Sequence, residues 1–144
     1  MSRTDRRTEL RETIFLILFR SDFYETEEMK DQIRDFFEDE DAYNTQEKQF
    51  IADRISAITK MIPQIDSELD RLSIGWKTKR MSRVDLTILR LAYYEITQDE
   101  SIPVAAAINE AVELAKSYGT QNSSSFVNGI LAKVAEEQNN GLIL

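Results

Sequence analysis

The chain contains no cysteine and no histidine. Disulfide frameworks, thiolate zinc sites, imidazole bases and Cys–His or Ser–His nucleophile pairs are thereby excluded. Glycine and proline are scarce, four and two among 144 residues. So little punctuation disfavours a fold of many tight β turns and favours helices. Long hydrophobic runs are missing too: the longest, Ile14–Phe19, is six residues. A bilayer span needs roughly 20, and the run is also too short for a signal-peptide core, with no small-residue cleavage pattern behind it. A cytoplasmic protein with no membrane partner is expected. No closely spaced glycines precede a helix, which removes phosphate-binding loops.

What is present describes a globular protein, 42% hydrophobic and 31% charged. The length suits a single domain spanning 1–144. A domain of about 150 residues buries roughly 68–70% of the surface that its unfolded chain exposes, without help from a metal or disulfide. No cofactor is expected. The net charge of -8 is unevenly spread. Residues 22–41 hold ten acidic side chains and two basic ones, whereas residues 1–20 carry five arginines against three acids. Residues 76–90 carry five basic side chains against Asp85 alone. A binding patch is local, so the global charge does not exclude a polyanionic partner.

Periodicity and capping signals predict an all-α fold of about seven helices. The first, about 5–21, is apolar on two sides, with Leu10, Ile14, Ile17 and Leu18 on one and Phe15 and Phe19 on the other. The second, about 26–38, turns Met29, Ile33, Phe36 and Phe37 inward, and the third, about 46–60, Phe50, Ile51, Ile55 and Ile58. Pro63 opens a fourth helix, where a first-turn proline loses no hydrogen bond, and Gly75 ends it. The fifth spans about 83–97. Ser101 and Pro103 start the sixth, with Val104, Ile108, Ala111, Val112 and Ala115 inward and Gly119 closing it. Asn122 or Ser123 caps the seventh, which buries Val127, Ile130, Leu131 and Val134; residues 136–144 are expected to fray.

Catalytic chemistry is not recognisable. Asn109 with Glu110 and Glu113, or Asp66 with Asp70, read more simply as exposed helix faces, and Ser123–Ser125 as a helix start. Two basic clusters are more informative. Arg7 and Arg11 are four apart and share a helix face, with Arg3 and Arg6 beside them. They are either a solubilising N-terminus or a strip for phosphates, which the planar guanidinium grips bidentately. Lys77, Lys79, Arg80 and Arg83 stand beside Trp76. That cluster is either an exposed connection anchored by a core tryptophan or part of an RNA or protein surface. Phe126 is open to the same two readings.

The second half of the chain carries a family resemblance. The run Arg83-Val-Asp-Leu-Thr-Ile-Leu-Arg-Leu-Ala-Tyr-Tyr-Glu95 and the pair Pro103-Val104 are followed by Ile108-Asn-Glu-Ala-Val-Glu-Leu-Ala-Lys-Ser-Tyr-Gly119 and Ser125-Phe-Val-Asn-Gly-Ile-Leu131. Together they resemble the NusB family of transcription antitermination factors, and Trp76 and Arg80 fit the connection upstream. The resemblance is strong over about 74–135 and rests mainly on helix order over 22–73. It implies one domain built as two small helical bundles. It also implies a non-enzymatic RNA-binding adaptor that pairs with the small-subunit ribosomal protein NusE. That pair binds single-stranded boxA RNA in ribosomal RNA operons and acts with other Nus factors on RNA polymerase.

Carried over by position, the RNA contacts would be Arg7, Arg11 and Phe126, with Arg3 and Arg6 added by proximity. The NusE contacts would be Asp85 and Val104. The chain departs from the family pattern in three places. Thr8 and Glu9 interrupt the arginine run, Thr13 stands where alanine is common, and Ser125 stands where a basic residue often precedes the phenylalanine. Fewer cations predict weak RNA binding without NusE. The competing expectation is an interaction module or homodimer of the same fold with weak or lost RNA binding, with Phe15 and Phe19 as the apolar contact of the homodimer.

Overall fold

The computed structural model describes residues 3–23, 26–38 and 42–141, and the side chains of residues 3–5, 26, 29, 32 and 36 lie outside that set. Among the described residues there are six α-helices and no strand: α1 (Arg3–Ser21), α2 (Thr26–Glu38), α3 (Thr45–Leu72), α4 (Arg83–Gln98), α5 (Val104–Tyr118) and α6 (Ser123–Asn139). A short 3₁₀ turn, Thr78–Arg80, precedes α4. No described helix is long and apolar enough to cross a membrane.

The all-α expectation holds, but the expected third and fourth helices are one. Pro63 lies inside α3 rather than opening a new helix. The apolar register explains this. Ile51, Ile55, Ile58, Ile62, Ile65, Leu69 and Leu72 recur in alternating steps of four and three straight through the proline. All but the half-buried Ile62 are buried. Pro63 sits off that stripe and is exposed, as is Thr59, whose carbonyl loses its intrahelical donor. Water can take that carbonyl, so one missing bond does not outweigh the burial on either side. The chain forms two compact units, Met1–Lys60 and Met61–Leu144, with the boundary inside α3.

In the first unit, α1 buries Ile14, Phe15, Ile17 and Leu18, and the N-terminal half of α3 buries Ile51, Ile55 and Ile58. Fully burying one such side chain contributes about 1.5–3 kcal/mol. Phe50, expected among them, is 43% exposed. At about 100° per residue it lies a quarter-turn or more off the isoleucine stripe, and the Arg54 guanidinium covers its ring at 5.0 Å. On α2, Ile33 and Phe37 are half-buried; the expected inward placement of Met29 and Phe36 lies outside the described residues. The α3 start carries a reciprocal capping box: Asn44 Oδ1 accepts from the Glu47 N–H at 2.8 Å, and the Asn44 N–H donates to Glu47 Oε1 at 3.0 Å.

In the second unit α4, α5 and α6 pack against one another in pairs. Ser82 caps α4, its hydroxyl accepting from the Asp85 N–H at 3.0 Å. The core takes Ile88, Leu89 and Leu91 from α4, and Val127, Leu131 and Val134 from α6. On α5 the buried set is Ala107, Ala111, Leu114 and Ala115, which is rotated from the expected stripe; Val104, Ile108 and Val112 are only half-buried. Alanines on the inner face let neighbouring helices approach closely, a consideration that weighting by hydrophobicity alone misses. Pro103, not Ser101, holds the N-cap position of α5. Ser101 instead bonds to Asp99 Oδ1 through both its N–H and its hydroxyl.

Gly119 closes α5 as expected, yet with φ -95 and ψ -167 it is not in the left-handed region. Close approach is what requires glycine there: an added Cβ would meet Ser123 Cβ at 2.5 Å and the Ala115 carbonyl at 2.8 Å. Ser123 is buried and its Oγ accepts from the Thr120 N–H at 2.9 Å, so it braces the turn rather than capping α6. Within the tail expected to fray, α6 continues to Asn139. Glu137 binds Arg71 of α3 through both carboxylate oxygens, with the second contact at 2.8 Å from Nη1.

Candidate nucleic-acid interface

At about 100° per residue, Arg7 and Arg11 fall within about 40° of each other on α1. The same face continues into Ile14 and Leu18, which are buried. The two arginines therefore occupy the N-terminal, more open end of a stripe whose other end is core. Arg7 is exposed and makes no ion pair among the described residues; Arg11 is half-buried. Arg3 stands on the same face one turn earlier, but its side chain lies outside the described residues.

Arg6, grouped with the RNA contacts by proximity, points elsewhere. Its Nε and Nη2 donate to Glu47 Oε2 and Oε1, both at 2.6 Å. Nη2 also donates to the Ala42 carbonyl at 2.6 Å, and Nη1 to Glu9 at 2.8 Å. The guanidinium lies 5.4 Å from the Tyr43 ring centroid. Arg6 thus joins α1 to the capping box of α3. The hydrogen bond from Arg6, followed by that from the Asn44 N–H, holds Glu47 down at about 2. Glu47 in turn keeps the guanidinium charged. Four of the five N–H donors of Arg6 are used within the fold, which leaves little for a phosphate.

Glu9, which interrupts the arginine run, is part of that clasp. Thr13 is also accounted for: it is buried, its hydroxyl donates to the Glu9 carbonyl at 3.1 Å and lies 2.6 Å from the Tyr43 hydroxyl. The polar substitution is satisfied at both lone positions rather than buried unpaired.

In the second unit, Phe126 is half-buried in the first turn of α6, neither core nor fully open. Asp85 occupies the first turn of α4, where a carboxylate complements the helix dipole. Its Oδ1 is buried with no hydrogen-bond donor among the described residues. Val104 is half-buried at the start of α5, which packs against α4.

The second basic cluster is not anchored by a buried tryptophan. Trp76 is 48% exposed, with the Arg80 guanidinium over its ring at 5.8 Å. Asp66, considered earlier with Asp70 as a carboxylate pair, accepts from Arg90 Nε and Nη2 at 2.8 and 2.7 Å. Asp70 accepts from the Thr78 N–H at 2.6 Å. Both carboxylates are spent on structure. The local capping box Asn44-x-x-Glu47 was the one available sequence signal for the Arg6 site; the partner 41 residues away left no mark in the local pattern.

Comparison with known proteins bears on the family and the fold. The family model described as the NusB family matches residues 8–136. A transcription antitermination protein NusB of Lachnoclostridium phytofermentans is 45% identical over 130 residues, covering 90% of this chain and 98% of its own. Its counterpart in Agathobacter rectalis is 44% identical with the same coverage of 90% and 98%. A solved structure of T. maritima NusB superposes with a TM-score of 0.80 at 35% identity, covering 91% of each chain. A crystal structure of antitermination factors NusB and NusE in complex with dsRNA shares the fold, with a TM-score of 0.76 at 23% identity over 90% of this chain and 96% of that one.

Proposed function

The chain belongs to the NusB family, and from that premise we propose that it is an RNA-binding adaptor of bacterial transcription antitermination. It binds boxA-type single-stranded RNA together with NusE, and acts in the cytoplasm with other Nus factors on RNA polymerase. The observation that carries this reading is the division of labour on α1. Arg6 is consumed by Glu47, Glu9 and Ala42, while Arg7 stays exposed beside Arg11 on one face. Two guanidinium groups one turn apart suit successive phosphates of an extended strand. Phe126 is a candidate for stacking on an unpaired base. Asp85, with its undonated buried oxygen, and Val104, on a helix packed against the one bearing Asp85, are candidates for the NusE surface.

The test is RNA binding by the purified protein at several salt concentrations, with and without NusE. The probes are a boxA-containing single strand, a scrambled strand and a duplex of the same sequence. Selective binding of the boxA strand that tightens with NusE is expected. Replacing Arg7 and Arg11 with alanine should weaken it and flatten the salt slope by about 0.7 per lost phosphate contact. Affinity for all three probes that is equal and indifferent to NusE would refute the adaptor function. Of the two residues that the homodimer alternative relies on, Phe15 is fully buried and Phe19 half-buried.

A further inference from the structure

The connection from α3 to α4 exposes two of the largest apolar side chains of the second unit, Ile74 at 86% and Trp76 at 48%. It is nevertheless held tightly. Asp70 accepts from the Thr78 N–H at 2.6 Å and from its hydroxyl at 3.3 Å. The Ser73 hydroxyl donates to the Trp76 carbonyl at 2.5 Å, and Lys77 Nζ to the Asp70 carbonyl at 2.8 Å. Gly75 makes the turn at φ +82, and Thr78 and Met81 are buried beneath. A segment pinned at both ends with its indole left in water is not a failure of packing.

Within residues 76–83 the charged side chains are all basic. Arg80 lies over its ring, and Lys79 and Arg83 are exposed on the same short segment. In a chain of net charge -8 this is a concentrated cationic patch. We propose that Trp76, braced by Arg80 and flanked by Lys79 and Arg83, is a stacking platform for an unpaired base of single-stranded RNA, a second contact additional to the α1 arginines. The proposal rests on the RNA-binding function above. An indole offers a sequence-tolerant surface to any base, and cations beside it receive the adjoining phosphates. Because the loop is already fixed, little ordering entropy is lost on binding. A protein partner would prefer an apolar surround, whereas beyond Ile74 and Trp76 the exposed side chains of residues 74–83 include Lys77, Lys79, Arg80 and Arg83.

Trp76 is the only tryptophan in the chain, so its emission reports on the platform directly. Indole fluorescence and the anisotropy of a labelled boxA single strand are followed in one titration, with and without NusE. Emission should be quenched with the same midpoint as the anisotropy change. Trp76→Ala should weaken binding by roughly 5- to 150-fold, the range for loss of one stacked base. Trp76→Phe should recover part of that loss. Lys79→Gln should flatten the salt slope by about 0.7, and helical content should be unchanged in all three variants. RNA bound normally, and weakened by Arg7→Ala with Arg11→Ala, while the indole emission stays constant would overturn the platform and leave the adaptor function intact. Quenching that follows NusE rather than RNA would also overturn it, marking a protein surface. No RNA binding by the wild type, with or without NusE, would remove both readings.

Discussion

Adding one methyl group at each of two glycines should move stability in opposite directions. Gly119→Ala places a Cβ 2.5 Å from Ser123 Cβ, 2.4 Å from its Oγ and 2.8 Å from the Ala115 carbonyl. None of these can yield freely: Ser123 is buried, its hydroxyl accepts from the Thr120 N–H, and the carbonyl belongs to α5. Overpacking of this kind costs about 1–3 kcal/mol, and displacing the Ser123 hydroxyl loses a hydrogen bond of about 1 kcal/mol. Gly129 is an exposed interior residue of α6, and a Cβ there would meet nothing within 4 Å. Gly129→Ala removes a flexible residue from a helix and should stabilise by about 0.5–1 kcal/mol. With a urea m-value of about 1–3 kcal/mol/M, the two midpoints should separate by roughly 1 M or more. Urea titrations followed by circular dichroism measure this. Midpoints that move together, or a Gly119→Ala variant as stable as wild type, would refute the argument that close approach selects glycine at that turn.

Other outcomes follow from the same geometry. Glu47 is held at about 2 against an ordinary 4.5, so its contribution to stability is fully present above about 4.5 and is lost as pH falls toward 2; the stability gap between wild type and Glu47→Gln should close over that window in thermal melts. Arg71 lowers Glu137 by hydrogen bonding, and Glu137→Gln should speed amide exchange in the last turn of α6 while leaving α4 protected. Phe15→Ser should destabilise by several kcal/mol, about 3–5 by comparison with core phenylalanine truncations. Native mass should show the folded fraction with no lost dimer.

Helix identity was legible because it depends on local periodicity: the helix expected over about 83–97 is α4, Arg83–Gln98, and α6 begins at Ser123, directly after Asn122. The misreadings have common causes. Pro63 reads as a helix start on proline chemistry alone, whereas the isoleucine register runs straight through it. On α5 the valines and isoleucine outweighed the alanines, although close helix packing selects the smaller side chains. At the candidate interface, Arg6 and Arg7 are adjacent and chemically identical, and their fates are separated by partners that include a carboxylate 41 residues away.

That separation bears on what divergence can tolerate. A lysine at position 6 would offer one compact ammonium where Glu47, Glu9, Ala42 and the Tyr43 ring are met by a planar fork. Neither the bidentate bond nor the simultaneous carbonyl contact would survive. At position 7 a lysine keeps the charge and reach that a phosphate requires. Two neighbouring arginines, interchangeable by charge count, should therefore drift at different rates, the first held by the fold and the second free to vary among cations.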